Sequence, residues 1–111
     1  MSMALRVLFV CSRNRLRSPT AEAVFASVSG VETDSAGLAP DAEVILDAAQ
    51  VGWADLIAVM ERQHKVRLAR KFGAQLKGKR VVCLDIPDRY GYMQPELVAL
   101  LGRKVGPLLA G

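Results

Sequence analysis

Residues 5–18 join a short apolar run to a helix-patterned segment through a loop holding one cysteine and three arginines. Few topologies accommodate such a junction. Leu5 to Val10 is apolar except for Arg6, the composition of a short strand covered on both faces. Downstream, Ala21, Val24, Phe25 and Val28 recur at helical spacing, with Ser18 placed to cap the helix and Pro19 at its first position. A loop delivered to a helix N-terminus gathers unpaired backbone N–H groups and the positive end of the helix dipole. With Cys11 at its floor and Arg17 at its rim, that loop reads as a phosphate cradle containing a nucleophile.

The plainer reading is that a lone cysteine ending an apolar strand packs as a small hydrophobe. The neighbours weigh against it. Arg13, Arg15 and Arg17 crowd a turn that for structural purposes needs only Gly, Asn or Ser. Guanidinium groups and helix-terminal amides both favour a thiolate.

Periodicity predicts a strand over 4–11, a helix over 19–29, a strand over 31–36 and a helix near 41–51. A strand over 54–60, a helix over 61–72, a strand over 79–86 and a helix over 94–103 follow. Gly106-Pro107 is expected to stop or kink the last helix. Strands alternating with helices predict an α/β fold of three layers, a four-stranded parallel sheet with helices on both faces. A chain of 111 residues suits one domain, and 51% hydrophobic with 5% aromatic residues suits an aliphatic core. The N-terminal apolar run is too short for a signal peptide, and no segment is long enough to span a bilayer. Two cysteines without metal-ligand spacing point to a reduced, cytoplasmic setting and no metal site.

Cys11-x5-Arg17-Ser18-Pro19, followed by Ala21-Glu22-Ala23, resembles the active-site loop of the low-molecular-weight protein tyrosine phosphatase family. Asp34-Ser35-Ala36-Gly37, the strand from Asp55 to Met60 and Ile86-Pro87-Asp88-Arg89-Tyr90 fall in the family's order. The resemblance implies a single phosphatase-like domain over 1–111 and a phosphomonoesterase needing no metal or organic cofactor. Cys11 would attack phosphorus and form a phosphocysteine. Arg17 and the loop positions Ser12, Arg13, Asn14, Arg15 and Leu16 would hold the phosphoryl oxygens. Asn14 would support a left-handed turn and Ser18 would hydrogen-bond the thiolate, with Ser35 in the same network. Asp88 would be the general acid and Tyr90 the aromatic wall, with Asp85 the runner-up for the acid.

Several positions depart from the family's pattern. Arg13 stands where the family commonly has Gly, Leu16 where it has a second Cys, and Arg89 where it has Pro. Arg15 replaces a small or aliphatic residue beside the leaving group, matching neither the Ile of phosphotyrosine enzymes nor the Thr of phosphoarginine enzymes. It either attracts a more anionic substrate or points to solvent. The segment between Gly37 and Asp55 is short, so part of the substrate wall is expected to be missing. The implied partner is a phosphorylated protein or a small phosphate ester, not a membrane.

The formal charge of +4 is uneven: Arg62, Lys65, Arg67, Arg70, Lys71, Lys77, Lys79 and Arg80 form a run without acidic residues. It reads as a solvated helix face. Nucleic acid remains open as a partner, although no stacking platform or binding motif accompanies the run. His64 reads as a surface or core residue, Trp53 as packing and Cys83 as core. Two other functions fit the loop: a non-catalytic module binding phosphate or phosphoproteins, and arsenate reduction, for which Cys83 is the lone relay thiol.

Overall fold

The computed structural model describes residues 4–110, apart from the side chain of Ala110. Four strands, β1 (Leu5–Cys11), β2 (Val31–Gly37), β3 (Leu56–Val59) and β4 (Arg80–Cys83), form one parallel sheet in the order β2-β1-β3-β4. Four α-helices, α1 (Arg17–Phe25), α2 (Ala48–Trp53), α3 (Arg62–Phe72) and α4 (Pro95–Ala110), complete the α/β fold, with a short 3-10 turn over Gly73–Leu76.

Side chains of successive strand residues point to opposite faces, so the sheet separates two cores. Val7, Phe9 and Cys11 of β1 join Leu56, Ala58 and Met60 in packing on Phe25 of α1 and on Leu97, Leu101 and Val105 of α4. Leu8 and Val10 join Ile57 and Val59 against Val51 of α2 and Leu68 and Phe72 of α3. Burial on both faces explains why β1 is a nearly unbroken apolar run.

The chain leaves β1 for β2 on one side and then crosses to β3 on the other. Open parallel sheets place ligand crevices at the carboxyl ends of strands where the order reverses in this way. Here those ends are Cys11 of β1 and Val59 of β3, which Met60 and Glu61 follow.

Three elements differ from the sequence expectation. Helix α1 begins at Arg17, so Ser18 lies inside its first turn and does not cap it; Leu16 occupies the cap position without a side-chain cap bond. Pro19 is the third helical residue, where a missing N–H costs nothing. The helix also ends at Phe25, leaving Val28 exposed in the following turn.

Residues 41–47 form no helix. Ile45 bridges Gly37 in parallel fashion, and Asp47 caps α2 through a reciprocal box with Gln50. β-Branched Val44 and Ile45 favour the extended form, and the Asp47 cap delays the helix to Ala48.

Helix α4 runs through Pro107 rather than stopping there. A proline forfeits its bond to the carbonyl four residues earlier, here that of exposed Arg103. Burial of Val105 and the packing of Leu108 and Leu109 on the first core offset that loss.

Candidate active site

The loop after β1 folds back around the sulfur of Cys11. Asn14 adopts φ 56°, a left-handed conformation that Asn tolerates better than most residues. This turn aims the Asn14 backbone N–H at Cys11 Sγ, 3.2 Å away. Buried Gly37 at the end of β2 makes room for it: a Cβ there would lie 2.4 Å from the Ser12 carbonyl oxygen and 2.7 Å from Ala42 Cβ. The segment after β2 then clamps the loop through the Leu38, Ala39 and Glu43 amides, which donate to the carbonyls of Cys11, Ser12 and Arg13.

Behind the sulfur lies a polar chain with a deducible direction. Ser35 Oγ donates to the Glu22 carboxylate, which can only accept when ionised. Ser35 therefore accepts from Asn14 Nδ2 at 2.9 Å, and the same amide donates to Ser18 Oγ at 2.9 Å. The Ser18 proton then has two acceptors in reach, Cys11 Sγ at 2.9 Å and the Ala36 carbonyl at 3.5 Å, and the nearer sulfur is favoured. Two donors thus converge on the sulfur, an arrangement that suits a thiolate.

Arg17 rises beside this sulfur with its side chain only 4% exposed. Its Nη1 donates to Glu61 Oε1 at 2.6 Å and to the Ile86 carbonyl at 2.7 Å. Nε lies 3.7 Å from Asp88 Oδ1, while Nη2 has no protein partner among the described residues. Glu61 reaches Arg17 because it lies two residues past the end of β3, at the carboxyl edge of the sheet.

A cavity of about 640 Å³ opens above the loop, lined by Cys11, Ser12, Arg13, Arg15, Leu16, Arg17, Ala39 and Asp88. Arg13 and Arg15 stand exposed at its rim and meet Asp41 and Glu43 through Nε, at 3.7 and 3.3 Å. Exposed pairs of this kind contribute about 0–1 kcal/mol each, so the rim arginines exchange partners at little cost.

The family model for low molecular weight phosphotyrosine protein phosphatases matches residues 6–52, the segment that builds this loop and its supports. Over these residues the chain resembles that family, in the same loop that the sequence motif marked. Among solved structures, the YwlE arginine phosphatase from Geobacillus stearothermophilus aligns with 96% of this chain and 94% of its own. Its TM-score is 0.76 at 24% identity. The tyrosine phosphatase Wzb from Escherichia coli K30, in complex with phosphate, aligns over 97% and 98%, with a TM-score of 0.79 at 19% identity. These two likenesses show a shared fold. A YwlE arginine phosphatase mutant with a phosphorylated active-site serine aligns over 96% of both chains, with a TM-score of 0.76 at 26% identity. No curated protein sequence matches the chain.

Not every residue anticipated for the site reaches the cavity. Asn14 and Ser18 stand behind the sulfur rather than on the wall. Tyr90 is not on the wall either; it packs partly buried on the first core with the Arg89 guanidinium 5.7 Å from its ring centre. Its apolar ring is better covered there than at a wet rim. Asp85 turns away at φ 53°, its carboxylate 3.4 Å from Cys83 Sγ. Cys83 is only half-buried, because β4 is an edge strand. The basic side chains of α3 are exposed, in keeping with a solvated face.

Sequence reasoning missed Glu61 as the partner of Arg17, and it left His64 outside the site. His64 is fully buried at the start of α3. Desolvation, reinforced by the nearby charges of Arg17 and Arg67 and opposed by Glu61 and Asp88, lowers its pKa from 6.5 to about 4. Between those values the unfolded chain binds a proton that the folded chain refuses. Stability contributed by the neutral imidazole is therefore complete above pH 6.5 and lost as pH falls toward 4, by on the order of 3 kcal/mol. Urea titrations at pH 7 and pH 4.5 should show this drop, and His64→Gln should reduce it. An equal drop in both proteins would contradict the assignment.

Proposed function

We propose that the chain is a cysteine-dependent phosphomonoesterase that works through a phosphocysteine intermediate. The observation that carries this reading is the sulfur of Cys11, facing two hydrogen-bond donors at the floor of a cavity that also holds Arg17 and Asp88. In the first step Cys11 Sγ attacks phosphorus as the bond to the leaving oxygen breaks, and Asp88 gives that oxygen a proton. Arg17 and the loop amides hold the equatorial oxygens, whose charge is the main catalytic burden of phosphoryl transfer. In the second step water attacks phosphorus, Asp88 takes a proton, and the sulfur leaves toward the Ser18 hydroxyl. The YwlE mutant with a phosphorylated active-site serine supports a covalent route of this kind.

The substrate is a phosphorylated protein or a small phosphate ester. YwlE is described as an arginine phosphatase and Wzb as a tyrosine phosphatase, so phosphoarginine and phosphotyrosine are the first substrates to compare. Among the described residues the wall holds no aromatic side chain and carries two exposed arginines. That composition favours acidic contexts around the phosphoryl group over apolar ones.

Hydrolysis of aryl phosphates, inhibited by vanadate, tests the activity. Asp88→Asn should lower kcat about 100-fold for esters with poor leaving groups and far less for an activated nitrophenyl ester. Asp85→Asn should leave both rates near the parent value. A leaving-group dependence that follows Asp85 instead would overturn the choice of acid.

A further inference from the structure

We propose that Ser12 donates a hydrogen bond to the transferring phosphoryl group and that His64 is the positioning residue that sets the direction of this hydroxyl. The inference rests on the Cys11 phosphatase reading above and adds a donor to it.

The direction follows from the hydrogen bonds of the imidazole. His64 Nδ1 accepts the backbone N–H of Glu61 at 3.0 Å, so that nitrogen carries no proton. The neutral ring must then carry its proton on Nε2, which lies 2.9 Å from Ser12 Oγ. Ser12 is thus the acceptor in this bond. Its own hydroxyl proton has no protein acceptor among the described residues, and the residue lines the cavity directly after Cys11. A bound phosphoryl oxygen would supply the missing acceptor.

The environment maintains this arrangement. His64 is buried beside the Arg17 guanidinium and stays neutral across the physiological range. Without its N–H, the Ser12 hydroxyl would rotate among three staggered positions and present a lone pair to the anion in some of them. A donor fixed before substrate arrives needs no reorganisation during reaction.

Ser18 shows the same logic on the other side of the sulfur. It accepts from a fixed amide, that of Asn14, and turns its proton to Cys11. Two serines, each held by a nitrogen donor, would then serve the two ends of the breaking and forming bonds.

The test measures kcat, KM and inhibition by vanadate and inorganic phosphate for Ser12→Ala, His64→Ala, His64→Gln and Ser12→Ala/His64→Ala. Ser12→Ala should lower kcat/KM about tenfold and weaken vanadate more than phosphate. His64→Ala should lose a similar factor. His64→Gln should recover to within about threefold of the parent, because its amide oxygen can accept from Glu61 while its NH₂ donates to Ser12. The double variant should be no worse than Ser12→Ala.

Unchanged kcat/KM in Ser12→Ala, or losses that multiply in the double variant, would overturn the proposal. If His64→Ala does not fold, the vanadate-to-phosphate comparison in Ser12→Ala decides alone. Cys11→Ser, assayed in parallel, separates the two ideas. Full activity in that variant removes the phosphatase mechanism itself, whereas an inactive Cys11→Ser beside an unaffected Ser12→Ala removes only the role of Ser12.

Discussion

Cys11→Ser should lose at least about 10⁴ in kcat while still binding phosphate. The two effects separate because different atoms carry them. Turnover needs the sulfur as nucleophile and as leaving group, and a serine alkoxide is both harder to form beside a phosphate and harder to expel. Binding needs the Arg17 guanidinium and the loop amides, which the substitution leaves in place. The loop conformation should also survive. It is fixed by Asn14 at φ 56°, by the tight approach at Gly37 and by the amides of Leu38, Ala39 and Glu43, none of which depends on sulfur. Calorimetric titration with phosphate alongside aryl phosphate turnover measures both halves. Comparable turnover in Cys11→Ser and the parent would contradict the mechanism.

Arg17→Ala should lower kcat/KM by about 10³, and Arg17→Lys should recover only part of it. The guanidinium is anchored through Nη1 by Glu61 and the Ile86 carbonyl, while Nη2 has no protein partner among the described residues. Lysine offers one ammonium in place of this fork, so it cannot keep the anchor and hold the anion together. Removing the arginine also strands Glu61, whose carboxylate then faces the cavity and repels a phosphate dianion. Arg17→Ala/Glu61→Gln should therefore bind phosphate better than Arg17→Ala alone. Equal binding in the two variants would mean that Glu61 does no more than hold the arginine. Steady-state kinetics and phosphate titration distinguish these results.

The parts of this account that the sequence made legible are those where local pattern and final environment agree. β1 is buried on both faces, so its run of apolar residues allows little else. The loop reads well because three arginines in one turn have no structural motive.

Errors arose where one residue type serves two purposes. A serine before a proline looks the same as a helix cap and as a thiolate donor, and the sulfur 2.9 Å away decided for the second at Ser18. The helix expected near 41–51 was displaced by the Asp47–Gln50 box, and α4 passed Pro107 because its apolar face continues beyond the proline to Leu108 and Leu109, packed on the first core. Glu61 and His64 were hidden for a different reason. Their partners Arg17 and Ser12 lie 44 and 52 positions away in sequence, and only the parallel pairing of β1 with β3 brings them together. The Met60-Glu61 sequence directly after a buried strand was the available signal, since an acidic residue at that edge of the sheet faces any anion site beside it.

The central claim is a covalent bond between Cys11 and the phosphoryl group. Rapid acid quenching of the protein during turnover of an aryl phosphate, followed by mass analysis of its peptides, tests that bond directly. One added phosphoryl group is expected on the peptide containing Cys11, accumulating more in Asp88→Asn if release of the intermediate is slowed, and absent in Cys11→Ala. Turnover with no phosphorylated Cys11 peptide at any quench time, or the same adduct in Cys11→Ala, would contradict it.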